Sequence, residues 1–455
     1  LKSWKASRRP AMHHDRRSVF ASVTVRAVVP AFLVVVAVRL YFIEVFAVPL
    51  PFWDQWDAEG DFLLRPWIQG TLRIQDLWQS HNEHRILPTR LLSLFTFMIT
   101  GSWNNLTEAR FNTLLAGLVP ALIVGLLVRC RAVHGLRWLV VPVAVAQFAL
   151  PFSFENFLVG FQSQFYFLLI FTVAGLALAT LHPQKWWSVV GIIILSTLSI
   201  LTMASGLLTP LAVAALYVVR MLHDRQISRR HISVAVMLML LAVMGYGIIP
   251  NIPENQGYRA ATSGEFLTAL GVILSWPVTD HALVWILLWL PGMLAVPLLL
   301  WTRRMSAADM LMAGCLIWSL AQALAIAYGR GHWLSEVSSR YTELFSPGLI
   351  ANAWFAVRLA DHWESLPLRW VGLVFFVPYT IGHVVRYEAD MKDMRKVHRY
   401  SLIQQRNVSR YFQTGDPGVL DQPQYEIPYP HADRLQHLLD DPTLRSILPA
   451  EQEAQ

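Results

Sequence analysis

The sequence predicts an all-α polytopic membrane protein, and three observations carry that expectation. Of 455 residues, 55% are hydrophobic and only 15% are charged, more apolar surface than an ordinary soluble domain holds. Apolar runs of about 18 to 22 residues recur, the length at which a helix crosses about 30 Å of hydrocarbon. The short alternating strands of a membrane β-barrel do not occur.

Charge fits the same class. The net charge of +7 sits largely in short loops and at the N-terminus, where the positive-inside rule places cations, so it reads as topological and argues against a nucleic-acid partner. Two cysteines, Cys130 and Cys315, make neither a disulfide framework nor a thiolate metal site.

Residues 1–26 form a basic, polar tail expected in the cytoplasm. The first span, about Ala27 to Val48, follows Arg16, Arg17 and Arg26 and is too long, and without a small-residue cleavage site, to be a signal peptide. Further spans are expected near 109–128, 138–150, 165–181, 186–203, 207–221, 232–250, 281–301, 308–328, 344–359 and 370–385, with a tight turn at Ala204-Ser205-Gly206. The segment Ile86 to Gly101 is short and carries Pro88 and Arg90, so it is expected to lie at the interface or re-enter. With 11 crossings every basic cluster between spans is cytoplasmic; a twelfth at 86–101 would reverse them all. Residues 27–385 are thus one membrane domain, with an acidic outer loop at 51–107, and 386–455 a small outer-face appendage.

The loop Pro51 to Arg85, PFWDQWDAEGDFLLRPWIQGTLRIQDLWQSHNEHR, holds the densest charge. Charge is costly in hydrocarbon, so the loop belongs in water or at the membrane surface. Asp54, Asp57 and Asp61 recur at i, i+3 and i+7 and would share one face of an α-helix. Helix capping explains Asp54 or Asp57 as readily as catalysis does. As catalysts, either would be a general base that takes a proton from an acceptor hydroxyl while a lipid-phosphate leaving group departs, with Glu83 orienting substrate. Trp53 and Trp56 would stack on sugar rings or anchor at the headgroups.

His81, His84 and Arg85 close the loop. Two imidazoles three residues apart offer a divalent metal two ligands, the one cofactor the residues suggest, or else a hydrogen-bonding surface for substrate. The segment YGRGHWLSEVSSRY, Tyr328 to Tyr341, places Arg330 and Arg340 in an outer loop, against the inside bias, and guanidinium forks suit phosphate. Pairing with Glu336 or Glu343 is the alternative. Glu155, Asn156, Gln162 and Gln164 would suit sugar hydroxyls, and Arg39 and Glu44, charged within the first span, are expected to pair or to line a functional path.

A cytoplasmic N-terminus, a long acidic first outer loop and many spans make the first 390 residues or so resemble the GT-C superfamily of integral membrane glycosyltransferases. Residues Trp53-Asp54-Gln55-Trp56-Asp57 stand where that superfamily carries a catalytic aspartate, near the end of the first span. DQWDAE, HNEHR, YGRG and SSRY are similar to stretches of bacterial inner-membrane proteins of surface-polysaccharide synthesis. The resemblance implies transfer of a sugar from a polyprenyl-phosphate donor to a glycan or lipid-linked acceptor at the periplasmic face of the inner membrane. By the same analogy Arg330 or Arg340 binds donor phosphate, beside Tyr341. A lipid-linked glycan flippase, or a polysaccharide polymerase or ligase, is the alternative.

Overall fold

The computed structural model describes residues 15–278, 283–362 and 366–449. The first fourteen residues of the expected tail and the start of the expected span at His281 lie outside the described residues. Among the described residues there is no strand, only an isolated bridge between His81 and His84. The fold is helical throughout.

The helices of nine residues or more are α1 (Asp15–Phe46), α2 (Leu87–Thr100), α3 (Asn105–Arg129), α4 (Val140–Ala149), α5 (Ser163–Leu181), α6 (Trp186–Ile200), α7 (Leu208–Asp224), α8 (Arg229–Gly247), α9 (Ser263–Ser275), α10 (Val284–Trp301), α11 (Ala307–Gly329), α12 (Ser339–His362), α13 (Leu366–Thr414) and α14 (Ala432–Asp440). A π-helix, Trp56–Leu64, stands apart from these. Among the described residues, eight helical segments are long and apolar enough to cross a membrane: Val25–Phe46, Asn105–Arg129, Gly135–Leu158, Gly160–Leu181, Ala204–Asp224, Arg229–Gly247, Val284–Trp301 and Ala307–Gly329. The chain is built as a multi-pass helical membrane protein.

Pairwise packing of α1 on α3, α5 on α6, α7 on α8 and α11 on α12 assembles the bundle. Its main core runs from Val35 and Ile123 through Leu169 and Leu216 to Trp318 and Trp354. One corner is tight. The turn expected at Ala204-Ser205-Gly206 is a short 3-10 segment, and a Cβ on Gly206 would collide with the Ser199 carbonyl, which leaves glycine as the residue that fits.

Helix α2 has 14 residues, about 21 Å of rise against about 30 Å of hydrocarbon. It buries Pro88, Thr89, Arg90 and Ser93 and exposes Leu91, Phe95, Met98 and Ile99. Arg90 is turned away from lipid: its guanidinium donates to the carbonyls of Asp76, Leu77 and Gln79 at 3.1, 3.1 and 2.7 Å. That ties the helix to the acidic loop, and Ile86 before it is bonded through its N–H to the Thr202 carbonyl.

Of the two pairings open to the intramembrane charges, with each other or with neighbours, the structure has the second. Arg39 is fully buried and meets Glu343 at 2.5 Å, with further bonds to Tyr166 and Ser153. Glu44 is half exposed and pairs with Arg110 at 2.7 Å. Spacing of five residues turns Arg39 and Glu44 to different sides of α1, so each finds a partner on a neighbouring element.

The expected boundary at Arg386 falls inside α13, a 49-residue helix that passes through it without interruption. Beyond Thr414 the chain turns back, and Leu420, Ile427, Leu435, Leu438, Leu439, Leu444 and Ile447 form one apolar cluster with Trp56, Leu63, Leu64 and Trp103. Backbone bonds seal the contact: Trp53 N–H donates to the Pro428 carbonyl at 2.7 Å and Trp103 N–H to the Ile447 carbonyl at 2.8 Å. The C-terminal segment is therefore part of the wall around the acidic loop rather than an appendage.

Candidate functional site

The acidic loop begins with Trp53 at φ +48°, a conformation that a bulky residue adopts only where its surroundings hold it. The bond from Trp53 N–H to Pro428 supplies part of that hold. The chain then winds as α-helix for one step and as π-helix from Trp56 to Leu64. The i→i+5 pairing of a π-helix changes which side chains share a face. Asp57 and Asp61, four apart, both reach the guanidinium of Arg434, at 3.0 and 2.5 Å, while Asp54 points elsewhere.

Asp57 also accepts from the Tyr429 hydroxyl at 2.7 Å, and Asp61 pairs with Arg65 as well as Arg434. Both carboxylates are committed to holding the C-terminal segment. The expected common face of Asp54, Asp57 and Asp61 does not form, because it assumed α-helical winding. Trp56 is likewise removed from any ligand: it is fully buried, packs edge-on against Trp103 and donates to the Pro51 carbonyl at 2.9 Å.

Asp54 opens into a cavity of about 260 Å³. Its apolar lining includes Phe46 at the end of α1, Val48 and Leu50 just after it, and Phe154 and Leu158; its polar lining includes Asp54, Glu155, Gln162, Arg340, Gln404 and Tyr400. Trp53 and Tyr425 make an aromatic edge, their rings 6.5 Å apart and 18° from parallel. The Trp53 indole N–H has no hydrogen-bond partner among the described residues. A concave site of mixed lining with convergent polar groups is where an amphipathic ligand fits.

Charge around Asp54 is balanced. His81 Nε2 lies 3.7 Å from its Oδ1, too far for a full hydrogen bond. Burial alone would raise the Asp54 carboxyl, but contact with His81 and the charges of Arg340 and His84 outweigh it and hold it below the ordinary value. Asp54 is ionised at neutral pH. Arg340 is fixed by Glu155: one Glu155 oxygen accepts from the Ser338 and Ser339 hydroxyls at 2.7 Å each and from the Arg340 N–H at 3.0 Å, and the guanidinium stands 3.8 Å from the other oxygen. Tyr341 lies under the same guanidinium, 5.9 Å away, close enough for a cation–π contact.

The remaining candidates lie outside this cavity. Glu83 pairs with Arg330 at 3.1 Å, and Arg330 stacks over Tyr258 and bonds to Asn255. Neither Glu336 nor Glu343 is the partner of Arg330. Arg85 donates to the carbonyls of Trp78 and Ile248 and so laces two loops together. His81 and His84 exchange backbone bonds across a tight turn, but their rings part: His81 faces Asp54 and Phe161, whereas His84 Nδ1 accepts from the Ala204 N–H at 3.2 Å. Among the described residues no three His, Cys, Asp or Glu side chains converge as metal ligands, so the histidine pair does not form the expected donor set.

Part of the cavity comes from the C-terminal third, outside the charged loops that stand out in the sequence. Val397, Tyr400, Ser401 and Gln404 of α13 line it, and their i, i+3, i+4, i+7 spacing was a legible helical face. Tyr425 had no such signal. No family model, no curated protein and no solved structure matches the chain.

Proposed function

We propose that the protein is a membrane glycosyltransferase that moves a sugar from a polyprenyl-phosphate donor to the hydroxyl of a glycan or lipid-linked acceptor, at the extracytoplasmic face of a bacterial inner membrane, with 11 crossings in a GT-C-like arrangement. The observation that carries the reading is a cavity lined both by Asp54 and Arg340 and by apolar side chains from the end of α1 and the segment after it. A polyprenyl phosphate has the same two-part character, an anionic head on a hydrocarbon chain.

In this reading Arg340 takes the donor phosphate as a charge-assisted partner, in a position set by Glu155. The acceptor oxygen attacks the anomeric carbon, the bond from that carbon to the phosphate oxygen breaks, and polyprenyl phosphate leaves with the bonding electrons. Asp54 accepts the hydroxyl proton. Such a transition state is oxocarbenium-like, so the proton leaves late and a carboxylate with a lowered pKa serves as base. Trp53 and Tyr425 provide faces for a sugar ring, and the free indole N–H of Trp53 a donor to a hydroxyl.

The test is direct. Purified protein in a bilayer, given polyprenyl-phosphate sugars and candidate acceptors, should release polyprenyl phosphate, and Arg340→Gln should raise KM for donor. Saturation by lipid-linked glycan with its movement between leaflets and no release would establish a flippase and overturn the proposal.

A further inference from the structure

One exposed stripe runs along almost the whole of α13. Trp370, Val374, Val377, Ile381, Val384, Glu388, Lys392, Arg395, Arg399, Leu402, Arg406 and Arg410 are all exposed and follow one another at steps of three or four residues, the repeat of a single helix face. Its character changes once. Up to Val384 it is wholly apolar; from Lys392 it is cationic save Leu402, with exposed Lys396 beside it. The apolar half is the dress of a helix against lipid, so the cationic half emerges directly above that lipid, at the rim of the bundle.

Two marks fix the level of the first cations. Lys392 lies eight residues past Val384, about 12 Å along the helix, and the headgroup layer is about 6 Å thick with Lys and Arg side chains able to reach back into it. Independently, His398 Nδ1 is 2.8 Å from the carbonyl oxygen of Phe46, the last residue of the apolar span of α1. Lys392, Arg395, Lys396 and Arg399 span about 10 Å of helix between the end of the apolar stripe and the level of Phe46. None of the four pairs with a carboxylate among the described residues, unlike Arg386, which is held by Glu336 and Asp390. Cations gathered on this length of helix, free of internal partners and adjacent to lipid, complement phosphate headgroups.

We propose that Lys392, Arg395, Lys396 and Arg399 form a binding surface for anionic phospholipid headgroups. Lys392, Arg395 and Arg399 lie away from Val397, Tyr400, Ser401 and Gln404, which line the cavity, and Lys396 borders that side one turn before Tyr400, so lipid held there would steady the helix that carries that lining. The inference does not depend on the chemistry of the cavity or on which leaflet the surface faces.

The experiment uses the full chain in phosphatidylcholine liposomes containing spin-labelled phosphatidylglycerol or spin-labelled phosphatidylcholine, and reads the lipid fraction immobilised on the protein. The native chain should prefer the anionic label by about fivefold or more at low salt, given about one such factor per cation at the surface. Lys392→Gln, Arg395→Gln, Lys396→Gln and Arg399→Gln combined should lower the ratio by about fivefold or more without changing thermal stability, while Arg406→Gln with Arg410→Gln should leave it intact. Retention of the preference in the fourfold variant, or equal loss in the twofold control, would overturn the assignment. So would tight binding of soluble dextran sulfate that only the twofold variant removes, which would mark the stripe as a polyanion site in water.

Discussion

Asp57 and Arg434 lie 377 residues apart in the chain and meet at 3.0 Å. The contact sets apart two aspartates that the sequence presents as equals. Asp57 is spent on closing the C-terminal segment over the acidic loop, and Asp54 is left facing the cavity.

Removal of that clamp should loosen the wall without removing the base. Arg434 and Asp57 are both partly exposed, so solvent screens the pair and the expected loss is about 1 kcal/mol for Asp57→Asn or Arg434→Gln. Thermal unfolding of the two variants and their double mutant should show non-additive losses, since the residues share one interaction. Additive losses would separate them.

The Arg39 to Glu343 pair makes a larger demand. Both side chains are almost wholly buried, and breaking a buried pair by removal of one partner costs about 3–5 kcal/mol because the other charge is left alone. Arg39→Met should lower the melting temperature far more than Arg110→Met, whose partner Glu44 is half exposed. A comparable small shift for both would show that Arg39 is hydrated.

A second buried charge is held by hydrogen bonds. Glu59 is buried and accepts from Gln55, Ser93 and Trp103. Glu59→Ala leaves those donors unpaired and should cost about 1–3 kcal/mol, measured by chemical or thermal unfolding. Glu59→Gln keeps an acceptor of the same shape and should cost less, and the reverse order would contradict the bonding.

His84 predicts a pH dependence of stability. Burial is the main cause that pushes its imidazole down to about 4 from an ordinary value of 6.5. Between these values the unfolded chain binds a proton that the folded chain excludes, so stability rises with pH across the window and is lost as pH falls from about 6.5 toward 4. His84→Gln, which keeps an acceptor for the Ala204 N–H, should flatten that part of the curve of melting temperature against pH. An unchanged slope would assign it to other groups.

Much of the architecture was legible because lipid imposes a length and an apolarity that a sequence displays directly, as in the hairpin turned at Ala204-Ser205-Gly206. The candidate site was legible in part. Asp54 and Arg340 stood out as charges in an apolar chain, and the cavity brings them together. What local spacing could not carry was the return of the C-terminal segment, for nothing near Arg434 or Tyr429 points to Asp57. The π-helical turn defeated the face argument for Asp54, Asp57 and Asp61, since that argument presumes 3.6 residues per turn. Glu83 and Arg330, each singled out for substrate, neutralise each other instead.

Asp54 as base and Asp57 as strut would respond in opposite ways to the same substitution. Release of polyprenyl phosphate per folded molecule, measured for Asp54→Asn and Asp57→Asn side by side with their melting temperatures, tests these two roles most directly. The prediction is a loss of about 10²–10⁴-fold for Asp54→Asn at an almost unchanged melting temperature, with Asp57→Asn less stable but close to native turnover. Native turnover in Asp54→Asn, or abolished turnover in a fully folded Asp57→Asn, would contradict it.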